Sequence, residues 1–123
     1  MPVTEPSAPP SLDEGILEQM LRDLDFDVVL HLVETFVAEL LERSALLRDA
    51  AARGELTDLQ HEAHALKSSA ATYGAAEVAQ LGEAIDAACR DGRRDDALAG
   101  AEALGPATKR AAAAFADWQR RYA

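Results

Sequence analysis

Residues 61–75 read HEAHALKSSAATYGA, and the spacing in and just before this stretch sets the fold class. Leu56, Leu59, Ala63, Leu66, Ala70 and Tyr73 recur at intervals of 3, 4, 3, 4 and 3. That is one apolar stripe of an amphipathic helix. At about 100° per residue, His64 points roughly 130° from the centre of the stripe, and Gln60, His61, Lys67, Ser68 and Ala71 fall within about 60° of it. The stripe therefore faces a core and the His64 face meets solvent. Gly74 is placed to stop the helix.

A neutral imidazole is a good nucleophile near neutral pH because its unperturbed pKa lies close by. An in-line donor needs open space in front of the ring nitrogen, and Ser68 and Ala71 leave that room. Phosphoryl transfer is mostly positioning and electrostatics. Lys67, one turn C-terminal of His64, supplies a mobile positive charge on the same face. The Ser68 hydroxyl has two acceptors open to it, a phosphate oxygen or the helix backbone. On its own, a histidine on a solvated helix face is an ordinary surface residue.

The rest of the chain reads as more helix. Residues 1–10, MPVTEPSAPP, hold four of the five prolines and no periodicity, as in a mobile tail or linker, and residues 11–123 form the domain. Ser11-Leu-Asp-Glu14 is a capping box that starts a first helix ending near Leu24. Asp25 or Asp27 can cap a second helix. Its stripe is Phe26, Val29, Val33, Phe36, Leu40 and Leu47, widened by Leu30, Val37 and Leu41, and it ends at Arg53-Gly54. Thr57 or Glu55 begins the His64 helix. A fourth helix runs from about Ala75 to Arg90 with Val78, Leu81, Ile85 and Ala88 inward, and Asp91-Gly92 breaks it. The last helical region covers about Asp95 to Tyr122, with Leu98, Ala101, Leu104, Ala111, Phe115, Trp118 and Tyr122 as its stripe. Gly105-Pro106 is expected to kink or split it. No β-type alternation is present. The expected fold is all-α: an antiparallel up-down four-helix bundle with a short N-terminal helix covering one end.

The string His-x-Leu-Lys-Ser-Ser-Ala, three residues, then Gly-Ala is carried by His64, Leu66, Lys67, Ser68, Ser69, Ala70, Gly74 and Ala75. It resembles the signature of histidine-containing phosphotransfer (HPt) domains of multistep phosphorelays in two-component signalling. Phe26 to Ala50 looks like the long helix before the family's phosphohistidine helix, and Leu12 to Leu24 like its short first helix. The similarity covers residues 12 to 122. Pro106 departs from the family's usual uninterrupted last helix, and His61 is an extra histidine with no assigned role.

The resemblance implies that His64, not His61, accepts a phosphoryl group from a receiver's phospho-aspartate and passes it to the aspartate of another receiver. It implies Nε2 as the accepting nitrogen and Lys67 and Ser68 as phosphate-stabilising groups. Docking would involve the His64 face, with Gln60, His61, Ala71 and Ala75, and the neighbouring second helix. Implied partners are response-regulator receiver domains and a hybrid sensor histidine kinase. The chain would be a monomeric cytoplasmic phosphocarrier without kinase activity of its own. It would carry no cofactor, Mg²⁺ belonging to the receiver, because no carboxylate cluster near His64 is visible in the sequence.

Other readings fit less well. A carboxylate-bridged metal bundle uses inward Glu-x-x-His pairs, and the nearest approximation is Asp58-x-x-His61. The histidines are His31, His61 and His64, too few and, for His64, turned outward. A histidine-kinase dimerisation domain has a Glu, Leu, Arg, Thr, Pro string where Ala65-Leu66-Lys67 stands. A non-catalytic helical adaptor with an incidental surface histidine remains as the plain alternative. The 123 residues suit one domain. The net charge of −10 argues against nonspecific nucleic-acid binding and anionic membranes. No apolar run approaches about 18 residues and no secretory signal is visible. The lone Cys89 fits a reducing compartment.

Overall fold

The computed structural model describes residues 9–122. Five helices follow in order: α1 Glu14–Asp23, α2 Phe26–Ala52, α3 Leu56–Tyr73, α4 Ala76–Arg90 and α5 Arg94–Tyr122. Helices α2 to α5 form the expected four-helix bundle. Each packs on its chain neighbours, and α5 closes the ring on α2. Short connections at Gly54, Gly74 and Gly92 make the long helices antiparallel. Among the described residues no strand occurs.

The stripes read from the sequence meet in the centre. Leu59, Ala63, Leu66 and Ala70 of α3 are fully buried against Val29, Val33, Leu40 and Leu47 of α2 and Leu104, Ala111, Phe115 and Trp118 of α5. Burying each leucine contributes about 1.5–3 kcal/mol. One end of the bundle is aromatic. Phe36 stacks on Tyr73 at 4.6 Å between ring centres and meets Phe115 edge-on at 5.4 Å, tying α2, α3 and α5 together. The stripe of α2 is narrower than predicted, since Leu41 is exposed. Between Leu40 and Leu47 its inward position is Ser44, whose hydroxyl accepts a hydrogen bond from Thr108 of α5 at 3.1 Å inside the core. Tyr122 likewise lies at the edge rather than in the core.

The start of α1 differs from the capping-box reading. Asp13, not Ser11, is the cap, and its carboxylate accepts from the Gly15 amide at 3.1 Å. The chain before it is held elsewhere. The Asp13 amide donates to the Gly74 carbonyl at 2.7 Å, and the Pro10 carbonyl accepts from Glu77 at 3.0 Å. These bonds seat α1 on the turn that follows α3. Gly74 takes φ +85°, and a Cβ there would stand 2.7 Å from the Asp13 carbonyl oxygen, so both the turn and the seat of α1 require glycine. Residues 1–8, most of the expected tail, lie outside the described residues.

Gly105-Pro106 does not split the last helix: α5 is assigned without a gap from Arg94 to Tyr122. The reason is orientation. Pro106 and Glu102 both lie on the exposed face of α5, where water can satisfy the carbonyl that the proline leaves without a partner. Gly105, Ala107 and Thr108 are buried and hold the register on both sides. Since the ring still costs a helical bond, Pro106→Ala should stabilise the bundle by about 1–3 kcal/mol after allowing for the proline's restriction of the unfolded chain. Urea titration measures this. Unchanged or reduced stability would mean that the helix depends on the proline.

Candidate functional site

Where α3 and α4 cross, the contact is made through a residue without a side chain. A Cβ on Gly82 would lie 3.0 Å from the Lys67 Cβ and 3.2 Å from the Ala63 carbonyl oxygen. The two backbones can approach only because that atom is absent. Asp86 follows one turn later on the same face of α4. The close crossing carries its carboxylate beneath the His64 face, with the side chain only 1% exposed.

Four donors converge on Asp86. Gln60 Nε2 donates to Oδ1 at 3.2 Å, and His64 Nδ1, Lys67 Nζ and Arg90 Nη1 lie 3.2, 3.0 and 3.0 Å from Oδ2. Burial alone would push the Asp86 carboxyl up. The hydrogen bonds from Lys67, His64 and Gln60 and the charge of Arg90 override it and hold the group down at about 2. It is therefore a carboxylate at neutral pH and can only accept. The proton shared with His64 must then sit on Nδ1, which leaves the Nε2 lone pair of a neutral ring free. The His64 side chain is 65% exposed. The result is an imidazole fixed at one nitrogen and open at the other.

Lys67 is not the mobile cation expected from the sequence. Its side chain is only 22% exposed, and its ammonium bridges Glu83 Oε2 at 2.6 Å and Asp86 Oδ2 at 3.0 Å. The Glu83 bond, with that from Asp86, raises its pKa, so it is fully charged at neutral pH. Ser68 Oγ donates to the His64 carbonyl at 3.2 Å, so its hydroxyl is turned to the helix backbone.

Of the residues expected at a docking surface, His61 and Ala71 are exposed on the His64 face. Ala75 is fully buried and cannot be a contact point, because it forms the turn packed under α1. Gln60 is turned toward Asp86 rather than outward. His31 is exposed on α2, away from this cluster. Among the described residues no grouping of three or more His, Cys, Asp or Glu side chains could hold a metal ion. A groove of about 520 Å³ between α2 and α5, lined by Arg48, Ala51, Leu98 and Glu102, contains none of these residues.

Sequence reasoning missed Asp86, Glu83, Arg90 and Gly82, and the first two set carboxylates beside His64 and Lys67. A signal was present. Gly82 and Asp86 fall beside Val78 and Ile85 on the inward face of α4, and a glycine followed by an acid in a core stripe marks a close crossing over a paired charge.

Comparison with known proteins bears on the bundle as a whole. The family model described as Hpt domain matches residues 31–118. Proteins named phosphorelay protein LuxU from two strains of Vibrio vulnificus, YJ016 and CMCP6, are each 29% identical over 108 residues, covering 88% of this chain and 94% of theirs. The crystal structure of histidine-containing phosphotransfer protein B (HptB) from Pseudomonas aeruginosa PAO1 superposes with a TM-score of 0.83 at 27% identity, covering 93% of this chain and 98% of that one. The bundle, the matched residues and these relatives together place the chain in the Hpt domain family, as a phosphorelay intermediate.

Proposed function

We propose that His64 is the phosphoacceptor and that it reacts through Nε2. The contact between His64 Nδ1 and Asp86 Oδ2 carries this reading, because it fixes the tautomer and leaves the Nε2 lone pair unengaged on a side chain that is 65% exposed. The Nε2 lone pair attacks the phosphorus of a receiver's aspartyl phosphate. The N–P bond forms, the P–O bond to the aspartate breaks, and the receiver regains its carboxylate. The ring then holds the phosphoryl group on Nε2 and a proton on Nδ1, so it is cationic, and the Asp86 carboxylate lies directly against that new charge. Onward transfer reverses the bonds: a second receiver's aspartate attacks the phosphorus and the electron pair returns to Nε2. Asp86 is a positioning residue in both directions.

The chain acts as a carrier, with receiver domains and a hybrid sensor histidine kinase as its partners and without kinase activity of its own. It works as a monomer in the cytoplasm. In support, among the described residues no helix is long and apolar enough to cross a membrane, and the charge of −10 disfavours nucleic acid and anionic lipid. Mg²⁺ is assigned to the receiver. Asp86 is already committed to its donors and Glu83 to Lys67, so the acids beside His64 offer no open ligand set. Docking uses the His64 face, where His61 and Ala71 lie open, and the adjoining surface of α2.

Two predictions test the site. His64→Gln should fold normally and accept no label from a phosphorylated receiver, whereas His61→Gln should accept at the wild-type level. Label retained by the His64 variant would assign the phosphate elsewhere.

Asp86→Asn should slow acceptance by at least about tenfold, because the amide no longer enforces the tautomer or offsets the ring's charge. The same change has a pH signature. The Asp86 carboxyl is depressed from 3.8 to about 2 in the folded chain, so its stabilising contribution is full above about pH 4 and disappears as the pH falls toward 2. Stability measured against pH should show that acid-range loss in the wild type and a smaller one in Asp86→Asn. Identical acid profiles would contradict the assigned pairing.

A further inference from the structure

Lys67 is held between two carboxylates of unequal standing. Its aliphatic stem lies over Gly82, and its ammonium reaches Glu83 Oε2 at 2.6 Å and Asp86 Oδ2 at 3.0 Å. Asp86 is 1% exposed and also serves Gln60, His64 and Arg90. Glu83 is 55% exposed, and its other close charge is Arg90 Nη2 at 3.9 Å. Withdrawing a cation from a buried carboxylate leaves that charge under-compensated and is costly. Withdrawing it from a solvated carboxylate costs little, because water takes its place.

Lys67 Nζ and His64 Nδ1 share one oxygen of Asp86, so the ammonium lies within a side-chain swing of any group on the ring. Lys67, Arg90, Glu83 and Asp86 are two cations and two anions and leave no uncommitted positive charge at the site. A phosphoryl group arriving with charge on three oxygens can take the third N–H of Lys67, but it competes with two carboxylates for the rest of that charge and gains more when one of them gives way.

Building on the phosphoacceptor reading of His64, we propose that Glu83 is the yielding partner, a carboxylate that competes with the phosphoryl group for Lys67 and so sets how firmly the bundle holds its phosphate. Lys67 keeps Asp86 and exchanges Glu83 for phosphate oxygens on acceptance. The exchange reverses on transfer. Glu83 thereby favours release, and its removal favours retention. No covalent bond changes in this exchange.

The test uses Glu83→Gln, a change at an exposed position that keeps side-chain length. Two quantities are read: the transfer equilibrium with a phosphorylated receiver domain, and the lifetime of phosphohistidine in the isolated protein. The equilibrium should move about two- to fivefold toward the phosphorylated bundle, with a longer lifetime, and the shift should shrink as salt is raised. In a Lys67→Ala background, itself slower to accept but still competent, Glu83→Gln should change neither quantity. Wild-type values in the single variant would overturn the competition. So would a shift that persists without Lys67, since Glu83 would then act directly on the phosphate or on the partner. If wild type accepts no label at His64, the phosphoacceptor reading fails together with this one. If wild type accepts and Glu83→Gln behaves like it, only the role of Glu83 fails.

Discussion

An ionised carboxylate removed from water costs several kcal/mol unless charges and hydrogen bonds replace its hydration, and Asp86 sets that condition at the heart of this molecule. Three of its donors, Gln60, His64 and Lys67, stand on α3, while Arg90 comes from its own helix. Satisfying the buried charge and pairing α3 with α4 are therefore one problem. The solution fixes the crossing at Gly82, because the donors reach the carboxylate only when the backbones approach to the distance that glycine permits. It also fixes the imidazole, since the ring is one of the groups that neutralise the cost.

The rest of the bundle holds that crossing still. At the far end of α3, Tyr73 stacks on Phe36, and Gly74 turns the chain and accepts the Asp13 amide. Helix α3 is thus clamped by aromatic packing and by the seat of α1, and along its length by a fully buried apolar stripe. Side chains projected from helices locked in this way need little reorganisation to stay in place. A histidine 65% exposed, in direct contact with a carboxylate 1% exposed, meets solvent while its orientation is set from inside.

Much of this was legible in the sequence, and what was not has identifiable causes. Period 3.6 with glycine punctuation gave the number, order and direction of the helices, because each apolar stripe can be buried only by the others. The outward placement of His64 was legible from its angle to the stripe. Asp86 was missed although it falls on the inward face of α4 with Gly82, because a single acid in an alanine-rich helix was taken as solvated. Lys67 was misjudged for the same reason: its freedom depends on Glu83, sixteen residues away in sequence. The split expected at Pro106 is absent: the helix-breaking residue was weighed against its local sequence and not against its buried neighbours. The flanking buried positions Gly105, Ala107 and Thr108 outvote it when the ring points to water. Ser11 lost the cap to Asp13 because the amide of Asp13 is already drawn to Gly74. Each miss lies in a long-range contact that overrides a local preference.

The charge balance around His64 bears on what such a site can do. Lys67 and Arg90 would form a strong anion trap if they stood alone, and a phosphoryl group bound there would be held against transfer. With Asp86 and Glu83 beside them the set is closed on itself. A phosphoryl group then gains only the difference between its own attraction for a cation and that of the carboxylate it displaces. A difference of that kind is small and can take either sign under modest changes in a docked partner, whereas an unopposed attraction is large and fixed. A carrier has to accept and surrender the same group at comparable cost. Cations that are already paired meet that requirement, and the arrangement of acids around Lys67 is the physical means by which this bundle can do so.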